Sequence, residues 1–137
     1  MRVVLDTNIL VSALITRRGI PDTLYRFWRS GRFTLVSSEE QLEEFRRVTR
    51  YPQVRRYLQP WEAGTLLQEV RQLAVLIERL PRVEVSADPA DNFLLAIGAA
   101  GAADYLVSGD RRGLLALERY QQTQIVSARR FLEILSR

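Results

Sequence analysis

The sequence predicts an α/β domain in which helices cover both faces of a mainly parallel sheet, a three-layer α/β/α sandwich of about five strands. Two observations lead to this fold class. Helical patterns alternate along the chain with short apolar segments that are typical of strands. Several of these segments are continuous β-branched or leucine runs rather than alternating ones, as expected for strands that are covered on both faces.

The chain also has the size of one domain. Its 137 residues are enough to bury a core without the help of disulfides. No linker, internal repeat or low-complexity segment divides the sequence. We therefore expect residues 1–137 to form a single domain.

The predicted strands are short, and the third has the weakest signal. They are Arg2–Leu5, residues 33–36, Val75–Ile77, residues 104–107 and residues 124–126. Because helical patterns separate them, consecutive strands are expected to run parallel and to be joined by helices.

Caps and prolines mark the predicted helices. The helices begin near Ile9, at Pro21, at Glu39, at Pro60, after Asp88, at Arg111 and at Ala128. Ser38 with Gln41 matches a capping box, and Ser127 is placed to cap the last helix. Asp88 stands as a cap residue directly before a proline, and it opens a nearly all-apolar helix that ends near Gly101.

The chain lacks three residue types that many enzymes use: cysteine, histidine and lysine. Without them it cannot build a thiol nucleophile, a Ser-His-Asp triad, a zinc site of Cys or His ligands, or a Schiff base. Ionisable chemistry is left to Asp, Glu, Tyr and Arg. Carboxylate ligands suit hard cations such as Mg²⁺ or Mn²⁺.

The net charge of +4 is moderate. It is compatible with an anionic partner such as a nucleic acid, although a charged surface that keeps a protein soluble is the commoner cause. The carboxylate of Asp6 comes too early for a signal peptide, and the longest apolar stretch, residues 93–103, is too short to span a bilayer. A soluble cytoplasmic protein without membrane association is expected.

Two aspartates follow predicted strands. Asp6 directly follows the first strand, and Asp110 comes shortly after the fourth. Ligands of open parallel sheets bind beyond the carboxyl ends of the strands, so these carboxylates meet if their strands are neighbours. Each has a simpler explanation as well. Asp6 suits the N-cap of the first helix with Thr7 and Asn8 as turn residues, and Asp110 suits a turn beside Gly109.

Helix geometry singles out a glutamate. Leu42, Phe45 and Val48 define the apolar face of their helix. Glu44 lies on the flank of that face, where a side chain can reach a cleft beside the core, whereas Glu43 points away from it. The alternative for either glutamate is an ordinary solvated helix acid.

Asp91 is the fourth candidate acid. It lies one turn into its helix, on the side of the leucines. An acid that faces apolar neighbours needs a polar partner or a metal ion. The alternative is a capping pair with Asp88 at the positive end of the helix, which fits Asp88 better because Asp88 is the cap residue itself.

A cluster of such carboxylates requires a counter-charge. Converging like charges repel, and a divalent cation removes the repulsion. Mg²⁺ is typically held by few carboxylates together with phosphate oxygens of a substrate, and it activates water for phosphodiester hydrolysis without His, Cys or Lys. The composition therefore suits metal-dependent hydrolysis.

Four blocks of the sequence resemble the PIN-domain family. They are VVLDTNILVS at residues 3–12, VSSEEQLEEFRRV at residues 36–48, DPADNFLLA at residues 88–96 and ADYLVSGD at residues 103–110. The blocks come in the family's order and extend over most of the chain. Within the family, the chain is most similar to the VapC-type toxins of toxin–antitoxin systems.

The resemblance implies a PIN-like sheet of strand order 3-2-1-4-5 and a Mg²⁺- or Mn²⁺-dependent ribonuclease that cuts single-stranded or structured RNA. It also implies a cognate antitoxin protein as partner and self-association into a homodimer or higher homo-oligomer. The acids that it marks as catalytic and metal-binding are Asp6, Glu44, Asp91 and Asp110. It marks Asn8, Asp88 and Ser108 as supporting residues, of which Asn8 and Ser108 either orient water or phosphate or bond only to the protein.

Arginine forks match the geometry of phosphate, so the arginines are candidates for an RNA path. Arg111 and Arg112 are the best placed because they follow the last acid, and Arg46 and Arg47 follow the helical glutamates. The wider set is Arg17, Arg18, Arg46, Arg47, Arg50, Arg55, Arg56, Arg111 and Arg112.

Other functions are weighed against the ribonuclease. The main alternative is a non-catalytic RNA-binding or assembly module on the same scaffold. Trp28, Tyr57 and Trp61 are expected in the core or in an interface rather than as platforms for bases. A receiver domain needs a lysine that this chain lacks, and the haloacid-dehalogenase phosphatase loop has an aspartate where this chain has Asn8.

Overall fold

The structure, a computed structural model, describes all 137 residues. The strands are β1 (Arg2–Leu5), β2 (Thr34–Ser38), β3 (Val75–Ile77), β4 (Tyr105–Val107), β5 (Arg119–Tyr120) and β6 (Thr123–Val126). The helices are α1 (Thr7–Ile15), α2 (Ile20–Arg29), α3 (Glu39–Thr49), α4 (Pro52–Arg55), α5 (Pro60–Leu73), α6 (Pro89–Ala100), α7 (Leu114–Leu117) and α8 (Ala128–Leu135).

All six strands form one sheet, in the order β3-β2-β1-β4-β6-β5. Every neighbouring pair is parallel except β6 and β5. Over the five strands that the sequence predicts, this arrangement is the order 3-2-1-4-5, so the predicted parallel sheet is confirmed. β2 ends at Ser38, later than predicted, because Ser37 and Ser38 pair with Leu76 and Ile77 of β3.

The strand at one edge of the sheet, β5, was not predicted from the sequence. β5 has two residues, and it pairs antiparallel with β6, with Tyr120 opposite Thr123. The connecting turn places Gln121 at φ 53°. The hairpin was not predicted because it lacks the Asn-Gly or Gly signal of such turns, and because two residues carry no periodicity.

Two predicted helix starts were wrong, and α4 was not predicted. α1 begins at Thr7, so Thr7 and Asn8 are helical rather than turn residues. α7 begins at Leu114 instead of Arg111. The chain first makes a turn there, in which Gly113 donates its backbone N–H to the Asp110 side chain at 3.0 Å, and glycine is a poor helix former.

Apolar clusters cover both faces of the sheet, as the three-layer prediction requires. On β1, Val3 packs into the cluster under α1, α2, α3, α5 and α8, whereas Val4 packs into the cluster under α6 and α7. Successive side chains of a strand point to opposite faces, which explains why Val3, Val4 and Leu5 of β1 are all apolar. None of the eight helices is long and apolar enough to cross a lipid bilayer.

Candidate active site

The carboxyl ends of the two central strands bring Asp6 and Asp110 to the same edge of the sheet. β1 and β4 are parallel neighbours, with Leu5 opposite Val107. The backbone N–H of Asp6 donates to the Val107 carbonyl oxygen at 2.9 Å, so the pairing continues to the aspartate itself. The condition under which the two acids meet, namely that their strands are neighbours, therefore holds in the structure.

Asp6 has two structural roles at this edge. Its Oδ1 accepts the backbone N–H of Asn8 at 3.3 Å, which makes it the N-cap of α1 as the simpler explanation proposed. Its Oδ2 accepts the Ser108 hydroxyl at 2.8 Å. Capping uses only one of the two carboxylate oxygens, so Asp6 can cap α1 and still line the cleft.

Ser108 links the two acids. It is fully buried, and its Oγ also accepts the backbone N–H of Asp110 at 3.0 Å. Ser108 was expected either to orient water or phosphate or to bond only to the protein. In the structure its hydroxyl bonds to the protein, since it donates to Asp6 and accepts from the backbone of Asp110. Asn8 differs, since its side chain is exposed at the cleft.

Glu44 projects from α3 toward the same edge. It is half-buried, and its Oε1 accepts a hydrogen bond from the Thr7 hydroxyl. The neighbouring Glu43 is exposed. The flank position that helix periodicity assigns to Glu44 is therefore the observed one.

A buried polar network behind Glu44 was not foreseen in the sequence. Gln41 donates from Nε2 to the Leu5 carbonyl oxygen at 2.7 Å and to Thr7 Oγ1 at 3.4 Å. Its Oε1 accepts the Ser37 hydroxyl at 2.6 Å. Gln41 thus fastens the end of β1 to the start of α3 and supports the hydroxyl that contacts Glu44.

The capping box predicted for α3 is only half formed. Ser38 Oγ accepts the backbone N–H of Gln41 at 3.2 Å, which is the expected cap. The Gln41 side chain does not return to Ser38, because it is engaged with β1 in the buried network. The serine three residues before Gln41 was enough to predict the cap. The second hydrogen bond of the capping box does not form, because β1 lies within reach of the Gln41 side chain.

Asp91 is buried, with 6% of its surface exposed, and its partner is a hydroxyl. Ser86 donates to its Oδ2 at 3.1 Å. The proposed capping pair does not form, because Asp88 alone caps α6 by accepting the Ala90 N–H at 2.9 Å. Asp88 is exposed, so the cap explanation is correct for Asp88 and not for Asp91.

Gly113 lies where Asp91 and Asp110 come together. A Cβ built on Gly113 would lie 2.2 Å from Asp110 Oδ2 and 2.6 Å from Asp91 Oδ2, closer than atoms pack. Both carboxylates therefore lie against the same point of backbone, and a side chain at this position would displace them. This role of Gly113 was not predicted from the sequence.

A cleft of about 560 Å³ joins these elements. Its walls include all four predicted acids, hereafter the four cleft acids: Asp6, Glu44, Asp91 and Asp110. None of the four is in an ion pair with an arginine. The cleft therefore concentrates negative charge that no protein cation neutralises.

The ionisation of Asp6 shows the effect of this environment. Burial raises the pKa of the Asp6 carboxyl above its ordinary value, and the charges of Glu44 and Asp91 raise it further. The hydrogen bonds from Ser108 and from the Asn8 backbone oppose the shift, because they stabilise the carboxylate form.

Asp91 is shifted in the same direction. Burial raises its pKa, the Ser86 hydrogen bond opposes the shift, and the charges of Asp110 and Asp88 raise the pKa further. Burial is the larger cause of both shifts, and repulsion between neighbouring carboxylates adds to it at Asp6 and at Asp91. A cation placed among the acids would relieve the repulsion.

The carboxylate oxygens of the four cleft acids are suitable ligands for a divalent cation, although the four side chains do not converge on one point. No three acidic side chains of the chain converge closely enough to hold an ion by themselves. Mg²⁺ does not require such convergence, since it keeps several waters and binds through one or two carboxylates. The paired carboxylates of Asp91 and Asp110 at Gly113 fit that mode.

The predicted RNA-binding arginines lie in different places. Arg112 lines a second cavity of about 530 Å³, whose walls also include Asp88, Asp91 and Asp110. Arg111 is exposed on the same turn. On α3, Arg47 is exposed, and Arg46 lines a separate cavity against α5.

The predicted core position is confirmed for Trp28, and the alternative of an interface stays a prediction for Tyr57 and Trp61. Trp28 is buried in the core beside Tyr25. Tyr57 and Trp61 are 63% and 69% exposed and therefore lie outside the core. Both come from the segment of α4 and α5, which presents these rings to solvent instead of packing them inward.

Comparison with known families agrees with the fold. The sequence model of the PIN domain matches residues 2–112, a span that contains the four cleft acids. The chain belongs to the PIN-domain family. PIN domains are generally nucleases and typically use divalent metal ions. No individually curated protein matches the chain.

Proposed function

We propose that this protein is a Mg²⁺- or Mn²⁺-dependent endoribonuclease that hydrolyses RNA phosphodiester bonds in the acidic cleft. The observation that carries the proposal is the gathering of the four cleft acids, without a neutralising arginine, at the carboxyl ends of β1 and β4. The family supports the nuclease class, and the absence of His, Cys and Lys leaves carboxylates as the acid–base groups.

The chain's own residues divide the work in the cleft. Asp91 and Asp110 are the pair best placed to hold a cation together, because a carboxylate oxygen of each lies beside Gly113. Asp6 lines the same cleft and is oriented by Ser108. Glu44 is held by Thr7, and in the cleft it can orient water or accept a proton.

A bound divalent cation would supply Lewis acidity toward the phosphodiester and a nucleophile at neutral pH. The protein would contribute orientation and a water-restricting cleft. Arg112 lines the adjoining cavity, where its guanidinium can donate hydrogen bonds to an RNA phosphate next to the scissile bond. RNA passing from one cavity to the other would cross Asp91 and Asp110.

We extend the proposal to a toxin of a toxin–antitoxin pair, partnered by a small antitoxin protein. The four sequence blocks that resemble VapC-type toxins support this role. Expression of the chain in a bacterial host should arrest growth, and the Asp6→Asn variant should not. Growth arrest by both proteins would contradict a toxin that acts through the cleft, and growth with both would contradict the toxin role.

Cleavage of a defined RNA panel tests the ribonuclease activity. The purified protein should cut RNA when Mn²⁺ or Mg²⁺ is present and should stop when the metal is chelated. Asp6→Asn should abolish cleavage while the circular dichroism spectrum stays that of a folded protein. Cleavage by Asp6→Asn at the wild-type rate without metal would refute the proposal. Salt-sensitive RNA binding with no cleavage under any metal would favour the non-catalytic module instead.

A further inference from the structure

A positively charged cavity lies between α3, α4 and α5, and none of the four cleft acids lines it. Its volume is about 310 Å³, and three arginines stand on its wall. We call it the arginine pocket; it is lined by Arg46, Thr49, Arg50, Arg55, Leu58, Pro60, Ala63, Gly64 and Leu67. No acidic residue lines it, so the pocket has the opposite charge to the cleft.

The three guanidinium groups of the arginine pocket have no partner in the protein. None of them takes part in an ion pair or donates a side-chain hydrogen bond. The carboxyl end of the α3 dipole favours cations such as Arg46 and Arg50. It does not explain Arg55, which comes from α4 and faces the same cavity. Three like charges around one cavity are stabilised by an anion.

Two exposed aromatic residues belong to the stretch of chain that forms one side of the arginine pocket. Tyr57 adjoins Leu58, and Trp61 adjoins Pro60, and both of these neighbours line the arginine pocket. The two rings are among the most exposed large apolar side chains of the chain. Arginines that bind phosphates beside aromatic faces that stack bases are the combination by which proteins hold single strands.

The arginine pocket and the cleft share helix α3. Glu44 faces the cleft from one flank of α3, whereas Arg46 and Arg50 face the pocket from the other. A helix with its side chains is only about 10–12 Å across. One nucleic-acid strand can therefore lie over α3 and reach both places.

We propose that the arginine pocket is a binding site for single-stranded RNA, separate from the cleft. Arg46, Arg50 and Arg55 hold backbone phosphates, and Trp61 and Tyr57 stack on bases. The proposal rests on the ribonuclease function for its choice of RNA as the anionic ligand. Exposed rings on the segment that also carries Arg55 favour RNA over an acidic peptide, which offers carboxylates but no bases.

Binding of a single-stranded RNA of about 12 nucleotides tests this site. The Asp6→Asn protein serves as the background, so that cleavage does not interfere. Tryptophan fluorescence reports on the site, because Trp28 is buried and Trp61 is exposed. RNA should quench the exposed fluorophore, and the added substitutions Arg50→Gln and Arg55→Gln together should weaken binding at least tenfold. The slope of log affinity against log salt should fall by about 1.4, since two phosphate contacts are lost from a single strand.

Controls separate this proposal from the ribonuclease function. Arg129→Gln removes an exposed arginine that lines neither cavity, and it should bind RNA as the background protein does. An affinity of the double variant within twofold of the background would overturn the site. Equal competition by polyglutamate of matched length would overturn RNA as its ligand. A protein that binds RNA here but never cleaves it would contradict the ribonuclease and leave this site standing.

Discussion

The hydroxyl of Ser108 donates a 2.8 Å hydrogen bond to Oδ2 of Asp6, across the ends of two neighbouring strands. Ser108 is fully buried, whereas Asp6 opens into the cleft. The contact sets the orientation of the carboxylate and stabilises its charged form. The uncharged Ser108 therefore influences the ionisation of Asp6.

Replacement of Ser108 by alanine should shift the pH dependence of cleavage. The hydrogen bond from Ser108 lowers the pKa of Asp6, against the larger effect of burial. Without it the pKa of Asp6 rises further, so the carboxylate form appears only at higher pH. The acid limb of the pH–rate profile of Ser108→Ala should move to higher pH. Ser108→Thr keeps the hydroxyl and should move it less, and an unshifted limb in Ser108→Ala would contradict the role of this contact.

Asp6→Asn should stabilise the metal-free protein near neutral pH. The folded state raises the pKa of Asp6, so folding favours the protonated carboxyl and is opposed by its charge. The unfolding free energy of the wild type thus falls as pH rises from the unfolded value of 3.8 through the raised pKa. An amide carries no charge and avoids this loss.

Thermal unfolding in the presence of a chelator measures this effect. The melting temperature of Asp6→Asn should exceed that of the wild type by about 3–5 °C for each kcal/mol of relieved repulsion. The difference should shrink toward pH 4 and should reverse when Mg²⁺ is added, since only the intact site gains from the cation. A variant that is less stable than the wild type at neutral pH without metal would show that Asp6 stabilises the fold as a charged group.

Gly113→Ala should weaken metal binding without unfolding the protein. The added Cβ would contact Asp110 Oδ2 and Asp91 Oδ2, and these side-chain ends can swing away from each other. Mn²⁺ affinity, measured by electron paramagnetic resonance, should fall by about tenfold or more. Gly109→Ala is the matched control, because a Cβ there meets nothing within 4 Å. Equal Mn²⁺ affinities of the two variants would contradict the shared support of this acid pair.

The sequence predicts the strand-end acids well because their position follows from topology. The carboxyl ends of parallel strands lie at one edge, so Asp6 and Asp110 had to approach each other once β1 and β4 were neighbours. Glu44 was equally accessible, since helix periodicity alone places it on the flank of α3. The positions of these three acids could be predicted because they follow from strand ends and helix periodicity, which are visible within each segment of the sequence.

The supporting residues could not be predicted in this way. Thr7 looked like a turn residue, and its contact with Glu44 depends on how α3 packs beside α1. Gln41 looked like half of a capping box, but the carbonyl of Leu5 lies within its reach. Gly113 became informative only when the backbone around it was known. Each of these roles is a tertiary contact between segments that are distant in sequence.

The adjacent glutamates of α3 offer the most direct test of the acidic cleft. Glu44→Gln removes a cleft carboxylate, and Glu43→Gln removes an exposed one from the same helix. In single-turnover cleavage of RNA with Mn²⁺, Glu44→Gln should be slower than the wild type by more than about 100-fold, because even outer partners of a metal ligand cost about 10–100-fold. Glu43→Gln should cleave within about twofold of the wild type, as expected of a surface substitution. Equal rates for the two variants would contradict a ribonuclease site built from the cleft acids.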